Sequence, residues 1–268
     1  MNRTELMHLA VEAAIAAGVE ILKVYEEGSF EVEQKGDNSP LTRADIASNT
    51  IINAHLKNTD IPIISEENKE IEYQDRETWS TCWIVDPLDG TKEFIKRNGE
   101  FTVNIALVSN GLPEMGVIYV PVTRELYFAD TTTAEARKIV LDADHNFDGN
   151  LLRPENKIAP SLATNGSVRV VGSRSHMNDD TKAFIDSLKA ADKAVEIVSK
   201  GSSLKFCLVA EGRADIYPRF APTMEWDTAA GHAICKAVGL QVISRETNQE
   251  LSYNKSNLLN SHFVVKRK

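Results

Sequence analysis

A chain of 268 residues, 42% hydrophobic and 26% charged, has room for one large or two modest domains with a buried core, and its composition is that of an ordinary globular protein. The formal net charge of −9 argues against a general nucleic-acid binder, which needs a basic footprint. It leaves room for a small anionic substrate, because bound divalent cations reverse the local sign.

Residues 4–26 read as an amphipathic helix, with Leu6, Leu9, Ala10, Ala13, Ala17, Ile21 and Val24 recurring at helical spacing. Acids among its alanines do not fit a signal peptide, and no stretch reaches the ~18 uninterrupted apolar residues of a membrane span. A cytoplasmic location with no transmembrane segment is the expectation. Residues 42–57 form a second predicted helix, capped by Thr42, with Asp45 in the first turn where a carboxylate is favoured. A short apolar segment, residues 61–64, then meets Ser65-Glu66-Glu67. The run Trp83-Ile84-Val85 predicts a strand that delivers Asp86-Pro87-Leu88-Asp89 to its tip, with Gly90-Thr91 opening a helix. Residues 101–108, 114–120 and 125–129, rich in β-branched and aromatic side chains, predict an antiparallel meander. Residues 141–166 read as loops approaching a domain boundary.

The second half alternates. Strands are predicted at 168–171, 195–198 and 215–218, and helices at 179–190, 202–211 and 227–238, as in an α/β domain. The expected division is residues 1–160 and 161–268. Cys82, Cys207 and Cys235 are widely spaced, odd in number and set among apolar residues, so they read as buried reduced thiols.

Five acids stand at element ends: Asp45, Glu66, Asp86, Asp89 and Asp227. Singly, each has a structural explanation; Asp227, for example, could simply cap the helix that follows it. Together they suit a hard divalent cation such as Mg²⁺, which takes carboxylates, waters and phosphate oxygens. Pro87 stiffens the turn, and the Leu88 carbonyl is a candidate neutral oxygen ligand. Free N–H groups at Gly90 and Thr91 could receive a phosphate, and the Thr91 hydroxyl could orient a water. The string Asp-Pro-x-Asp-Gly-Thr is expected on the order of 10⁻⁴ times by chance in a chain this long, from average residue frequencies. Phosphate-loop, dinucleotide, nucleophile-elbow and zinc-hydrolase motifs are absent.

Asp86-Pro-Leu-Asp-Gly-Thr91, with Ser65-Glu66-Glu67 upstream and Trp226-Asp-Thr-Ala-Ala-Gly231 downstream, resembles the signatures of the inositol monophosphatase superfamily. These are magnesium-dependent, lithium-sensitive phosphatases. Residues 92–104 and 201–211 are similar to the branch that acts as bacterial 3'(2'),5'-bisphosphate nucleotidases, which convert adenosine 3',5'-bisphosphate to AMP and phosphate in sulfur metabolism.

The resemblance implies an α+β to α/β fold, a layered αβαβα sandwich with an antiparallel sheet in the first half and a mixed sheet in the second. It implies Glu66, Asp86, the Leu88 carbonyl, Asp89 and Asp227 as ligands of two or three Mg²⁺ ions, and Asp45 with Thr91 as the pair that activates water. It further implies substrate contacts from Glu66, Leu88, Asp89, Gly90, Thr91 and Asp227, and from the nucleotide-side residues His176, Ser202, Lys205 and Arg219. Read without the resemblance, Ser202 and Ser203 are helix-capping serines and Lys205 and Arg219 surface bases, or else the N–H groups at this helix start bind phosphate and Lys205 and Arg219 bind the second phosphate. The implied partner is a small nucleotide bisphosphate. Monomer and homodimer both stay open, as does peripheral attachment to the inner face of the cell membrane. An inositol or sugar monophosphatase is the nearest alternative, and a non-catalytic ligand-binding homologue a more distant one.

Overall fold

The structure, a computed structural model, describes residues 1–28, 32–34, 40–161, 166–172, 178–191 and 194–268. In chain order its elements are α1 (Arg3–Glu27), β1 (Val32–Gln34), β2 (Pro40–Thr42), α2 (Arg43–Leu56), β3 (Ile63–Ser65), α3 (Tyr73–Arg76), β4 (Thr81–Asp89), α4 (Thr91–Ile95), β5 (Thr102–Ser109), β6 (Leu112–Val120), β7 (Glu125–Asp130), β8 (Glu135–Val140), β9 (Lys157–Ile158), β10 (Ser167–Gly172), α5 (Asp179–Ala190), β11 (Ala194–Ser199), α6 (Leu204–Ala210), β12 (Tyr217–Arg219), α7 (Ala229–Ala237), β13 (Leu240–Ser244) and β14 (Phe263–Arg267).

Both long N-terminal helices start on reciprocal capping boxes. Asn2 pairs with Glu5 ahead of α1, and Thr42 with Asp45 ahead of α2. β3 to β9 form one seven-stranded sheet in sequence order, antiparallel throughout except for the parallel pair β3–β4. In the second half β10 and β11 run parallel, β12-β14-β13 run antiparallel, and a parallel bridge between Val170 and Ile216 joins the two groups.

Alternation along the strands builds the layers. Trp83 and Val85 of β4, with Val103, Ile105 and Leu107 of β5, pack under α1 and α2. Cys82 and Ile84, with Ala106 and Val108, face the opposite way into a core shared with α6, α7 and strands β12 to β14. Val168 and Val170 of β10 pack against Ile185 of α5 on the outside. The order helix, sheet, helix, sheet, helix follows, as the layered sandwich requires. α7 lies close on the first sheet because Gly116 of β6 has no side chain; a Cβ there would sit 2.3 Å from the Ala230 carbonyl oxygen.

Several boundaries differ from the sequence reading. The 141–166 segment contains β9, and the preceding β8, unread in the sequence, extends the meander. α6 begins at Leu204 and α7 at Ala229, two residues later than predicted in each case, because the residues ahead of them are engaged in the site. α4 is a single short turn. The first-half sheet is not wholly antiparallel. Cys82, Cys207 and Cys235 are buried and unpaired, and burial pushes all three thiols up. No helix among the described residues is long and apolar enough to cross a membrane.

Candidate active site

The site begins with a defect in β4. Its pairing with β5 steps from Asp86↔Asn104 to Asp89↔Thr102, three residues on one strand against two on the other. In a regular strand Asp86 and Asp89, three apart, would point to opposite faces. The extra residue of this β-bulge puts both carboxylates on one face, while Leu88 turns into the core beneath α1 and α2. The Leu88 N–H donates to Asp86 Oδ1 at 3.1 Å, and the Ser48 hydroxyl takes the Pro87 carbonyl at 2.7 Å. The Leu88 carbonyl receives one weak contact, from Thr91 Oγ1 at 3.4 Å. Gly90 makes the exit turn at φ +97°, where a Cβ would meet the Glu100 carbonyl oxygen at 3.1 Å.

Parallel pairing of β3 with β4 brings Glu66 alongside; its N–H donates to the Val85 carbonyl at 3.2 Å. Ser65 bonds Asn49 of α2, and Asn49 and Asn53 bond Asn68, fixing the chain on both sides of Glu66. Asp227 arrives from the second half. Its Oδ2 accepts from the Met224 N–H at 2.9 Å, and the N-cap of α7 is Thr228, with no side-chain cap bond, so Asp227 is no helix cap. Glu66, Asp86 and Asp227 each offer an oxygen within 4.8 Å of the others.

These groups are electrostatically incompatible on their own. Burial, then Glu66, Asp89, Asp227 and Asp45, hold the Asp86 carboxyl well above the usual range. Burial, then Asp89 and Glu66, push Asp227 up to about 8. Without a cation these carboxyls keep protons; to be charged together at neutral pH they would need one, and a set of hard oxygens fits a divalent cation. Asp45 and Thr91 meet beside it, with Thr91 Oγ1 donating to Asp45 Oδ1 at 3.2 Å.

On one side of this cluster a cavity of about 150 Å³ is lined by Asp89, Gly90, Ser202, Lys205, Arg219 and Asp227 among others. Lys205 is buried, and its ammonium donates to the Ser202 carbonyl. Burial, with Arg219 nearby, lowers it to about 8 against the opposing pull of Asp89. Arg219 donates to the Pro222 carbonyl at 2.9 Å, and its buried Nε has no partner among the described residues. Lys205 is therefore no surface charge, and Arg219 is half-buried at the cavity. The serines are not caps either, since Ser202 and Ser203 both donate to Asp89 Oδ2, at 2.7 and 2.8 Å. His176 lies outside the described residues. A larger cavity of about 390 Å³ lies behind Glu66, between Ile63, Met224, Trp226 and Leu258. Its buried base, Arg76, is taken up by Asn254 and by backbone carbonyls of residues 71, 255 and 256, so the smaller cavity is the one equipped for phosphate.

The sequence assigns no role to Ser48, Glu100, Thr102 or Asn104, and none to Ser203 beyond the helix start. Glu100 accepts from the Gly201 N–H at 2.8 Å and seats the turn that carries Ser202. Thr102 and Asn104 carried a signal: both are polar at alternate positions of a strand face that is otherwise apolar.

The whole chain has relatives. The Inositol monophosphatase family profile matches residues 2–267. A protein named 3'(2'),5'-bisphosphate nucleotidase CysQ from Salmonella typhimurium is 42% identical over 88% of this chain and 89% of its own length. Its Escherichia coli O157:H7 namesake is 44% identical over 84% and 85%. The crystal structure of CysQ from Bacteroides thetaiotaomicron, described as a bacterial member of the inositol monophosphatase family, superposes with a TM-score of 0.89 at 49% identity, covering 99% of this chain and 98% of that one. With the profile, the relatives and the fold in agreement, the chain belongs to the inositol monophosphatase family.

Proposed function

We propose that this chain is a magnesium-dependent 3'(2'),5'-bisphosphate nucleotidase that hydrolyses adenosine 3',5'-bisphosphate to AMP and phosphate. The observation that carries it is the continuity of the acidic cluster with a cavity lined by two bases, the buried Lys205 and the half-buried Arg219. A monophosphate of an uncharged polyol has no use for the second cationic site. The names of relatives 42–44% identical over most of the chain support the same substrate.

Glu66, Asp86, the Leu88 carbonyl, Asp89 and Asp227 would hold the metal, as two or three Mg²⁺ ions. When bound, the metal acidifies water and offsets phosphate charge. The chain's own groups do the rest. Asp45 accepts a hydrogen bond from the Thr91 hydroxyl, which turns the Thr91 lone pairs toward the site; as water gives a proton to Thr91, Thr91 passes its own to Asp45. Asp45 is itself fixed, because its other oxygen accepts from the Thr42 N–H and hydroxyl at 2.8 and 2.6 Å. Lys205, Arg219 and Ser202, with His176, hold the 5'-phosphate and nucleoside, so that the 3'-phosphate lies over the carboxylates. Attack by water oxygen on phosphorus breaks the bond to the 3'-oxygen, which leaves with the electron pair and takes up a proton from solvent water; the products are AMP and inorganic phosphate.

Residues 1–160 supply four of the five ligands, and residues 161–268 supply Asp227 and the bases. Every group comes from one chain, so a monomer suffices for the chemistry. The expected setting is the cytoplasm, and membrane attachment is no part of the proposal.

The test compares phosphate release from adenosine 3',5'-bisphosphate, inositol 1-phosphate and fructose 1,6-bisphosphate, with and without Mg²⁺. The nucleotide should be turned over with the highest kcat/KM, and chelation should abolish it. Preference for inositol 1-phosphate would overturn the substrate assignment.

A further inference from the structure

We propose that Asn104 and Ser203 are positioning residues: together they lock the Asp89 carboxylate in the one orientation that presents Oδ1 to the metal, and tie it to the backbone of Asp227. This rests on Asp89 and Asp227 being metal ligands, as proposed above.

Three donors converge on one oxygen. Asp89 Oδ2 accepts from Ser202 at 2.7 Å, Ser203 at 2.8 Å and, more weakly, Asn104 Nδ2 at 3.4 Å. Pinned on that side, the carboxylate cannot turn about its Cβ–Cγ bond. All three donors are neutral, so Oδ1 keeps its full attraction for a cation; a lysine in their place would compete with the metal.

Asn104 is 1% exposed and Ser203 2%. Thr102 Oγ1 donates to Asn104 Oδ1 at 2.9 Å, which sets the amide the right way round, with Nδ2 toward Ser203 and Asp89. That Nδ2 donates to Ser203 Oγ at 2.9 Å. Ser203 then has one proton and two acceptors in reach, Asp89 Oδ2 and the Asp227 carbonyl at 2.9 Å. A single hydroxyl from the second half therefore stands within hydrogen-bond distance of two ligands that the sequence separates by 138 positions (227 − 89), its one proton serving one of them at a time. Partners behind metal ligands orient them and typically govern affinity about 10- to 100-fold.

The test is Mn²⁺ binding to the substrate-free protein, followed by electron paramagnetic resonance, for wild type, Ser203→Ala, Asn104→Leu and the double variant. Each single variant should bind Mn²⁺ at least about 10-fold more weakly. The double variant should lose little more than the worse single one, because both act through the same oxygen. Metal-free unfolding temperatures of the single variants should stay close to wild type, and KM for the nucleotide at saturating metal should change less than the Mn²⁺ dissociation constant. Should Asn104→Leu fail to fold, Ser203→Ala decides alone. Mn²⁺ affinity in Ser203→Ala within threefold of wild type overturns the inference, and any greater loss supports it. Failure of the wild type itself to bind Mn²⁺ would instead overturn the assignment of the ligands.

Discussion

Thr91 and Asp45 are 46 positions apart and come from different helices, yet Thr91 Oγ1 donates to Asp45 Oδ1 at 3.2 Å beside the acidic cluster. The hydroxyl donates in both its contacts, to the carboxylate and, at 3.4 Å, to the Leu88 carbonyl, so its lone pairs are left to accept from water. Thr91→Ala should lower kcat by about 10²- to 10⁴-fold, the usual contribution of a positioned proton acceptor, with Mg²⁺ affinity nearly unchanged. Thr91→Ser should retain most of the activity. Asp45→Asn should lower kcat while keeping α2 intact, because an amide oxygen can still accept from Thr42. Steady-state kinetics at saturating Mg²⁺ provide the check, and a Thr91→Ala enzyme of near-normal kcat would remove Thr91 from the chemistry.

As a proposed metal ligand, Asp227 should trade stability for metal binding. Burial and its acidic neighbours push its carboxyl up to about 8, far above its unfolded value. The folded state then binds the proton more tightly than the unfolded one. Metal-free stability from this group is greatest at low pH and is lost as pH rises from about 4 to 8. Mg²⁺ should reverse that loss, so the rise in unfolding temperature on adding Mg²⁺ should be larger at pH 8 than at pH 5. Asp227→Asn should make the chelated protein more stable at pH 8, shrink the Mg²⁺ response and reduce turnover by about 100-fold or more. Thermal unfolding in EDTA and in Mg²⁺ at both pH values measures all of this. A variant less stable than wild type in EDTA at pH 8 would contradict the electrostatic account.

Lys205 sets an alkaline limit. Its ammonium, lowered to about 8 by burial, is charged in the free enzyme below that pH and neutral above it. Binding of a second phosphate should therefore weaken as pH passes 8, and log kcat/KM for adenosine 3',5'-bisphosphate should bend downward there. Lys205→Met should raise KM for the bisphosphate far more than for a simple monophosphate. Equal effects on both substrates would take Lys205 out of specificity.

Much of this site was legible because it is written in one short string. Asp86 to Thr91 carries two carboxylates, a backbone oxygen and the water-orienting hydroxyl within six residues, so local spacing announces them. Their common direction was not legible, since it depends on a bulge opposite Asn104 and Thr102 that exists only once β4 and β5 pair. Glu66 and Asp227 stand out as acids at element ends, yet their distance from Asp86 follows from a parallel strand pair and from the close packing of α7 on Gly116. For the same reason the sequence leaves the serines before α6 open between capping the helix and serving the site. A capping serine and a serine aimed at a distant carboxylate have identical local sequence, and only the approach of Asp89 across the halves distinguishes them. Strand β8 escaped notice because Glu135, Arg137 and Lys138 obscure its alternation, although they form ion pairs along the sheet once folded.

His232 governs acid stability away from the site. It is fully buried on α7, with Nδ1 3.0 Å from the Tyr253 hydroxyl and Nε2 without a partner among the described residues. Tyr253 passes its own proton to Thr228, so the neutral ring donates from Nδ1 and leaves Nε2 as a bare acceptor. Protonating Nε2 would bury a charge with no acceptor for its N–H, and burial accordingly lowers the ring to about 3, with Lys236 adding to the effect. The unfolded chain takes up this proton near pH 6.5 and the folded chain does not. Stability should fall as pH drops from about 6.5 toward 3. His232→Gln keeps a donor for Tyr253 and cannot titrate, so it should be somewhat less stable than wild type at pH 7 and lose less on going to pH 4. Urea unfolding at the two pH values checks this, and an equal loss in both proteins would assign the acid limb to other groups.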